Sequence, residues 1–159
     1  MDRLGYSGCW GLFRYSPVSQ TWTVFDEKNG DLPQISIAGL AIASNGDLWI
    51  ANITRGIVAV RHAKSGAWGY LTHESPFPDV YGFGRVYFGT YDDLWLPTIG
   101  HCGIVGEPCW LGLAHYANGK WKRYTTADGM TSDRVFAVAV DPSGVPWVIT
   151  DAGLQRFEP

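Results

Sequence analysis

The stretch Asp141-Pro142-Ser143-Gly144-Val145-Pro146-Trp147-Val148-Ile149-Thr150-Asp151-Ala152-Gly153-Leu154-Gln155-Arg156-Phe157 decides how the rest of the chain is read. It opens on a turn-forming cluster, runs through five residues of a half-buried strand, turns again at Asp151-Ala152-Gly153, and enters a second short strand. Earlier pieces repeat it. Asn45-Gly46-Asp47-Leu48-Trp49 and Tyr91-Asp92-Asp93-Leu94-Trp95 place a Trp after a turn in the same way, at spacings of 95 − 49 = 46 and 147 − 95 = 52. A second Trp, at 22, 68 and 121, precedes these by 27, 27 and 26 residues. A third marker is a Gly followed by a short apolar run, at Gly11, Gly56, Gly112 and Gly153. Periods of this length with aromatic markers signal a repeat architecture.

Working outward, each unit divides into four strands. In the last unit these are Gly112 to Tyr116, Lys120 to Thr125, Arg134 to Val140 and Pro146 to Thr150, with Asn118-Gly119 as a hairpin turn and no helix between them. Four-strand antiparallel meanders of ~40 to 50 residues predict an all-β fold of β-propeller blades. The whole chain, 1–159, reads as one partial propeller of about three and a half blades, with units of about 11–55, 56–111 and 112–152 and a closing strand at 153–157.

Composition agrees and narrows the function classes. The 159 residues are 46% hydrophobic and 17% charged, with 20 Gly, 8 Trp and 8 Tyr, which favours strands and tight turns over disorder. Twelve Lys plus Arg against 15 Asp plus Glu leave a net charge of −3 without a basic run, so no nucleic-acid partner is expected. The longest uncharged stretch, Leu32 to Gly46, is interrupted by polar residues and falls short of the ~18 apolar residues of a membrane helix, so a soluble chain with no membrane partner is expected. Met1 to Trp10 lack an apolar core and a cleavage site, so a signal peptide is expected to be absent or already removed.

The pattern carried by Gly11 to Tyr15, Asn29 to Pro33, Asn45 to Ala51, Asp128 to Asp133 and Asp141 to Phe157 resembles the two-component-regulator propeller repeat and, more distantly, the streptogramin lyase propellers. The resemblance implies a ligand-binding or sensory module, or a scaffold, in a periplasmic or extracellular setting. It also supplies an alternative, a streptogramin lyase-like carbon–oxygen lyase, and a second alternative is a purely structural interaction propeller. The middle unit departs most, with Thr90-Tyr91 in place of the usual lead-in.

That unit also carries the main local anomaly. From the Trp to the next Gly marker the distance is 7 and 6 residues in two units but 112 − 95 = 17 in the middle one. The ten extra residues predict a long loop, Thr98 to Leu111, on the face where second-to-third and fourth-to-first strand connections emerge. His101, Cys102, Glu107, Cys109 and Trp110 are its chemically capable residues, and loops held by a rigid scaffold collect binding groups. Buried free thiols are the plainer expectation for the cysteines, with a Cys102 to Cys109 bridge or a metal as alternatives; Cys9 occupies a similar place before Trp10. Asp79, Tyr81, Arg85, Asp133 and Arg134, with Phe83 as a further aromatic, are expected toward the channel mouth, where they would meet a small polar ligand or protein. Repeating tryptophans are expected between blades, and His62, His73 and His115 on the surface or in packing. No Gly-x-Ser-x-Gly, Gly-x-x-x-x-Gly-Lys or His-Glu-x-x-His motif occurs, and neither cofactor nor metal is expected. The streptogramin lyase-like activity that the resemblance offers would require a His acid/base near a metal-bound substrate, and His101 with Glu107 is the one local pair able to imitate it.

Three and a half blades do not close a ring. The wedge would leave apolar faces and strand edges wet, so the chain is expected to complete a propeller with a second copy, its C-terminal strands through Phe157 meeting the partner's N-terminal strands from Gly11 to complete shared blades.

Overall fold

A computed structural model of the chain describes residues 12–26, 36–72, 74–90, 92–102 and 107–159, with residues 107 and 108 as backbone only. The chain folds into four antiparallel sheets laid down in sequence order. The first holds β1 (Leu12–Ser16) and β2 (Thr21–Phe25). The second is a complete meander of β3 (Ile37–Ile42), β4 (Leu48–Asn52), β5 (Val58–Arg61) and β6 (Trp68–Thr72). The third holds β7 (Val80–Phe83), β8 (Tyr87–Phe88), β9 (Leu94–Cys102), β10 (Glu107–Ala117) and β11 (Lys120–Tyr124). The fourth holds β12 (Val135–Val140), β13 (Pro146–Thr150) and β14 (Gly153–Arg156). These are β-propeller blades: a third and fourth strand, two complete blades, then a first, second and third strand. The repeat units counted from Gly to Gly straddle the sheets, each taking two strands from one blade and two from the next.

Turn chemistry sets the meander. Asn118 and Gly119, at φ 51° and 77°, make the hairpin from β10 to β11. In the fourth sheet the Asp141 carboxylate accepts the Ser143 and Val145 amides, so the chain reverses between β12 and β13 around its own side chain. The single helical element among the described residues is a 3-10 turn, Thr126–Asp128, whose N-cap Thr125 and Asp128 bond each other's backbone.

Strand alternation gives each sheet two apolar faces, one for each neighbour. Leu12 and Phe25 meet Ile50, Ile57 and Ala59 between the first and second sheets. Ala51 and Val58 meet Leu94, Leu96 and Ala114 between the second and third. Trp95, Leu113 and Tyr124 meet Val138, Val148 and Phe157 between the third and fourth. The expected inter-blade tryptophans are there: Trp95 is 1% exposed, and Trp49 packs edge-on to Phe88. Trp147, on the last face, is instead 39% exposed, since none of the described sheets covers it.

The third sheet breaks the expected pattern twice. Its first strand is split: β7 and β8 pair with different parts of β9, and Arg85 lies at the break. The stretch expected as a loop is a β-hairpin, a tongue in which β9 and β10 stay paired from Leu94↔Tyr116 to Cys102↔Glu107. The reason lies in backbone bonding, because β7 pairs along Ile99 and Gly100 and gives the added strand a partner on its other edge. The thiols are not free: Cys102 and Cys109 are bridged, Cα to Cα 5.5 Å, and staple the tongue near its tip. Cys9 and its Trp10 neighbour lie outside the described residues, as do His73 and the stretch from Asn29 to Pro33.

Candidate functional site

Connections from second to third strands and from fourth to first strands lie at one end of every antiparallel meander, so residues 53–57, 74–79, 125–134 and 151–152 share a face with the tongue. Between the second and third sheets this face holds an open hollow of about 420 Å³, lined by Thr54, Arg55, Glu74, Ser75, Val80 and Tyr81 among others.

Its walls are built by local bonding. Asn52, at the end of β4, is fully buried and its Oδ1 accepts the Thr54 and Arg55 amides, each at 2.6 Å. That Asx turn holds Thr54 and the exposed Arg55 at the rim. Burial also closes the Asn52-Ile53-Thr54 glycosylation sequon, whose acceptor nitrogen is inside the protein. On the other wall Tyr81, carried by β7, stacks on His101 of the tongue, ring centroids 4.0 Å apart and planes within 11°. The tongue therefore shapes the hollow through an aromatic pair as well as through backbone.

The other residues expected at this face divide by what they touch. Asp79, just before β7, accepts from the Arg123 guanidinium at 2.6 Å, and that hydrogen bond holds its carboxyl below the usual value. Arg123 also lies over the Phe77 ring at 5.4 Å, so the pair braces the connection into β7. Trp110 meets the edge of Phe136 across to the fourth sheet, centroids 6.1 Å apart, and Arg134 lies over the same ring at 5.3 Å. Asp133 spends its carboxylate on the Thr126 amide at 2.6 Å and its carbonyl on the Gly112 amide, which makes it a brace of the loop before β12. Arg85 is exposed beside the inner strands, where its Cα abuts Gly39 so closely that a side chain at Gly39 would collide with it. Cys102 is exposed and Cys109 half-buried beneath it. Glu107 pairs by backbone with Cys102, one rung from the His101↔Pro108 pair, and its side chain lies outside the description. Phe83 is no site residue: it is wholly buried and stacks on Trp121 at 5.6 Å.

The structure thus brings Tyr81 and His101 together at the hollow, with Arg55, Glu74, Thr54 and Ser75, which sequence reasoning missed. Their signal was available only in part, since the Asn52-x-Thr54 spacing that forms an Asx turn is also that of a glycosylation sequon. Asp133, Asp79 and Trp110 surround this group as supports. Among the described residues no three His, Cys, Asp or Glu side chains gather where a metal ion could be held.

A second hollow, about 340 Å³, lies at the opposite end between the third and fourth sheets, with Asp92, Asp93, His115, Asn118 and Ser143 in its wall. Its polar groups are engaged in bonds within the third sheet and between the second and third. Asp92 accepts the Ser44 hydroxyl at 2.7 Å, and Asp93 takes both His115 Nε2 at 2.7 Å and the Trp95 indole N–H at 2.8 Å. His115 stacks on Trp95 at 3.8 Å and is a packing residue. The fourth sheet repeats the device, with Arg156 beside Trp147 and an ion pair from Arg156 to Asp141.

No protein-family model matches the chain, and no curated protein matches it. Solved structures do. A streptogramin B lyase structure aligns over 95% of this chain and 48% of its own length, at 17% identity and a TM-score of 0.62. Virginiamycin B lyase from Staphylococcus aureus aligns over 80% of this chain and 42% of its own, at 16% identity and a TM-score of 0.55. The extracellular domain of a one-component system, BT4673 from B. thetaiotaomicron, aligns over 91% and 24%, at 14% identity and a TM-score of 0.49. The chain spans less than half the length of either lyase chain that it matches. Identities this low establish architecture alone: the chain carries a β-propeller fold similar to that of the streptogramin B lyases.

Proposed function

We infer that this stretch of propeller is a binding module whose ligand face is the one carrying the tongue, and that the hollow beside Tyr81 and His101 receives a small polar ligand or a polar segment of a protein. The observation that carries the reading is the stapled tongue itself. Ten residues beyond the blade repeat are held as a paired, disulfide-closed hairpin, and one of its side chains completes an aromatic pair at the rim of a hollow with hydroxyls and both signs of charge. Preorganised concave sites with a few placed polar groups are where ligands bind. The bridge also suits an oxidising compartment, consistent with a periplasmic or extracellular module.

The test is a thermal-shift screen of monosaccharides, amino acids and small carboxylates on the chain and on a variant with residues 99–111 replaced by a two-residue turn. A compound that raises the melting temperature of the former and not the latter supports the reading. A shift that survives removal of the tongue would move the site elsewhere. A second reading, a carbon–oxygen lyase, is favoured by the fold shared with the lyase chains. Loss of a streptogramin B incubated with the chain, abolished by His101→Ala, would replace binding by catalysis.

A further inference from the structure

Among the described residues no sheet covers the two end faces of the wedge, and the chain's own interior shows what each is shaped to meet. On the last sheet, Trp147, Ile149 and Leu154 point away from the third sheet; Trp147 is 39% and Leu154 65% exposed. Trp95 holds the same place in the third sheet and is 1% exposed, because the fourth sheet covers it. On the first sheet, Phe13, Tyr15, Trp22 and Val24 point away from the second sheet, pairing Phe13↔Val24 and Tyr15↔Trp22 across the hairpin; Trp22 is 65% exposed. Its counterpart Trp121, which pairs with Tyr116 as Trp22 pairs with Tyr15, packs into the core between the second and third sheets. One end of the chain therefore presents the forward face of a blade and the other end the backward face. These are the two halves of the interface that the chain already forms three times internally.

We propose that the occupant of both faces is a second copy of this chain, with the outer face of β12, β13 and β14 of each protomer stacked on the outer face of β1 and β2 of the other. The contact is heterologous, and two of them close a two-chain ring in which neither apolar face meets water. Stacking blade on blade also avoids the difficulty of a shared blade, which would contain two third strands, β14 and β1. The proposal is independent of the ligand face, which lies at one end of the strands rather than on the end sheets.

Light scattering on the chain at micromolar concentration tests it, together with Trp22→Glu on one end face and Leu154→Glu on the other. Both side chains are exposed in a single chain, so neither substitution disturbs its core, and far-UV circular dichroism checks that each variant folds. The expected result is twice the mass of one chain for the unaltered protein, one chain mass for each variant alone, and a return to twice the mass when the two variants are mixed, since one junction then joins two intact faces. An unaltered protein at one chain mass overturns the proposal. So does dissociation by only one of the variants, which is the signature of a face that pairs with itself. In the unaltered protein, amide exchange in β2 and β14 is expected to slow as concentration rises, and concentration-independent exchange there also overturns it.

Discussion

Replacing Trp95 is the sharpest test of how the blades are held together. The indole is 1% exposed, lies flat on His115 at 3.8 Å, faces Tyr124 at 5.9 Å and donates to the Asp93 carboxylate at 2.8 Å. Truncating a buried Trp to Ala costs about 3–5 kcal/mol. Asp93 keeps its bond to His115, so no carboxylate is orphaned, and the middle of that range, about 4 kcal/mol, is expected. For a domain of this size that corresponds to a fall in Tm of about 8–16 °C. Trp95→Phe retains the apolar contact and loses the charge-assisted hydrogen bond, an expected loss of about 1.5–2 kcal/mol. Combining Trp95→Ala with His115→Ala in a double-mutant cycle measures the coupling of the two rings through their stack, of about 0.5–1.5 kcal/mol, and through the Asp93 carboxylate that they share. Urea unfolding followed by circular dichroism measures all five proteins, the unaltered chain included. A loss below about 1 kcal/mol for Trp95→Ala would refute the packing of the third sheet on the fourth through this cluster.

Three further outcomes are expected. Cys102 and Cys109 are seven residues apart, and chain-entropy arguments give the bridge about 2.5 kcal/mol; with both changed to Ser, amide exchange near the tip of the tongue should speed up roughly 70-fold, and unchanged exchange would show that strand pairing alone holds it. The Asp141 carboxyl is held down at about 2, first by the Ser143 hydroxyl and then by the Val145 amide. Because its folded value lies below the ordinary 3.8, its contribution is complete above about 3.8 and is lost as pH falls through about 2, so Asp141→Asn should flatten acid unfolding in that window and leave the slope near neutrality unchanged. A side chain at Gly82 would collide with the Ile53 carbonyl, so Gly82→Ala should cost about 1–3 kcal/mol in urea, and Gly84→Ala, whose new methyl meets only the Pro97 side chain at 3.2 Å, should cost less.

The regular blades were legible because their signals are local. Pro146 to Thr150 is the strand Pro146–Thr150, and Arg134 to Val140 differs from Val135–Val140 by one residue, since alternation and Asx turns act within a few positions. The tongue was not legible. Thr98 to Leu111 has three glycines, two cysteines and a proline, no alternation, and a pairing partner in β7 some twenty residues upstream. Its strand character comes from tertiary pairing, which outweighs local propensity. The site was half legible for the same reason. Tyr81 and His101 stood out as non-repeating residues, whereas Arg55 and Glu74 reach the hollow through turns whose direction the sequence does not display. Asp133 was expected toward the channel mouth, and its bond to the Thr126 amide was not legible because that amide becomes a neighbour only when the 3-10 turn forms.

The junction between blade and tongue has a consequence for how such a sheet can be lengthened. From Leu113↔Pro97 to Trp110↔Ile99, β10 advances three residues while β9 advances two, and Gly112 takes the step at φ 91°. The surplus residue puts the tongue part of β10 out of phase with its continuation in the blade, while β9 runs through in phase. In strict alternation Leu111 would share the side of Leu113; instead Leu111 packs toward the second sheet and Trp110 reaches Phe136 on the fourth. The recurring glycine thus works as a frame shift, letting β10 keep the blade's in-and-out pattern on one side of Gly112 and the opposite pattern on the other. A hairpin grafted onto another blade at the matching glycine would need an odd surplus residue in that same strand, or the side chains of that strand would arrive on the wrong side.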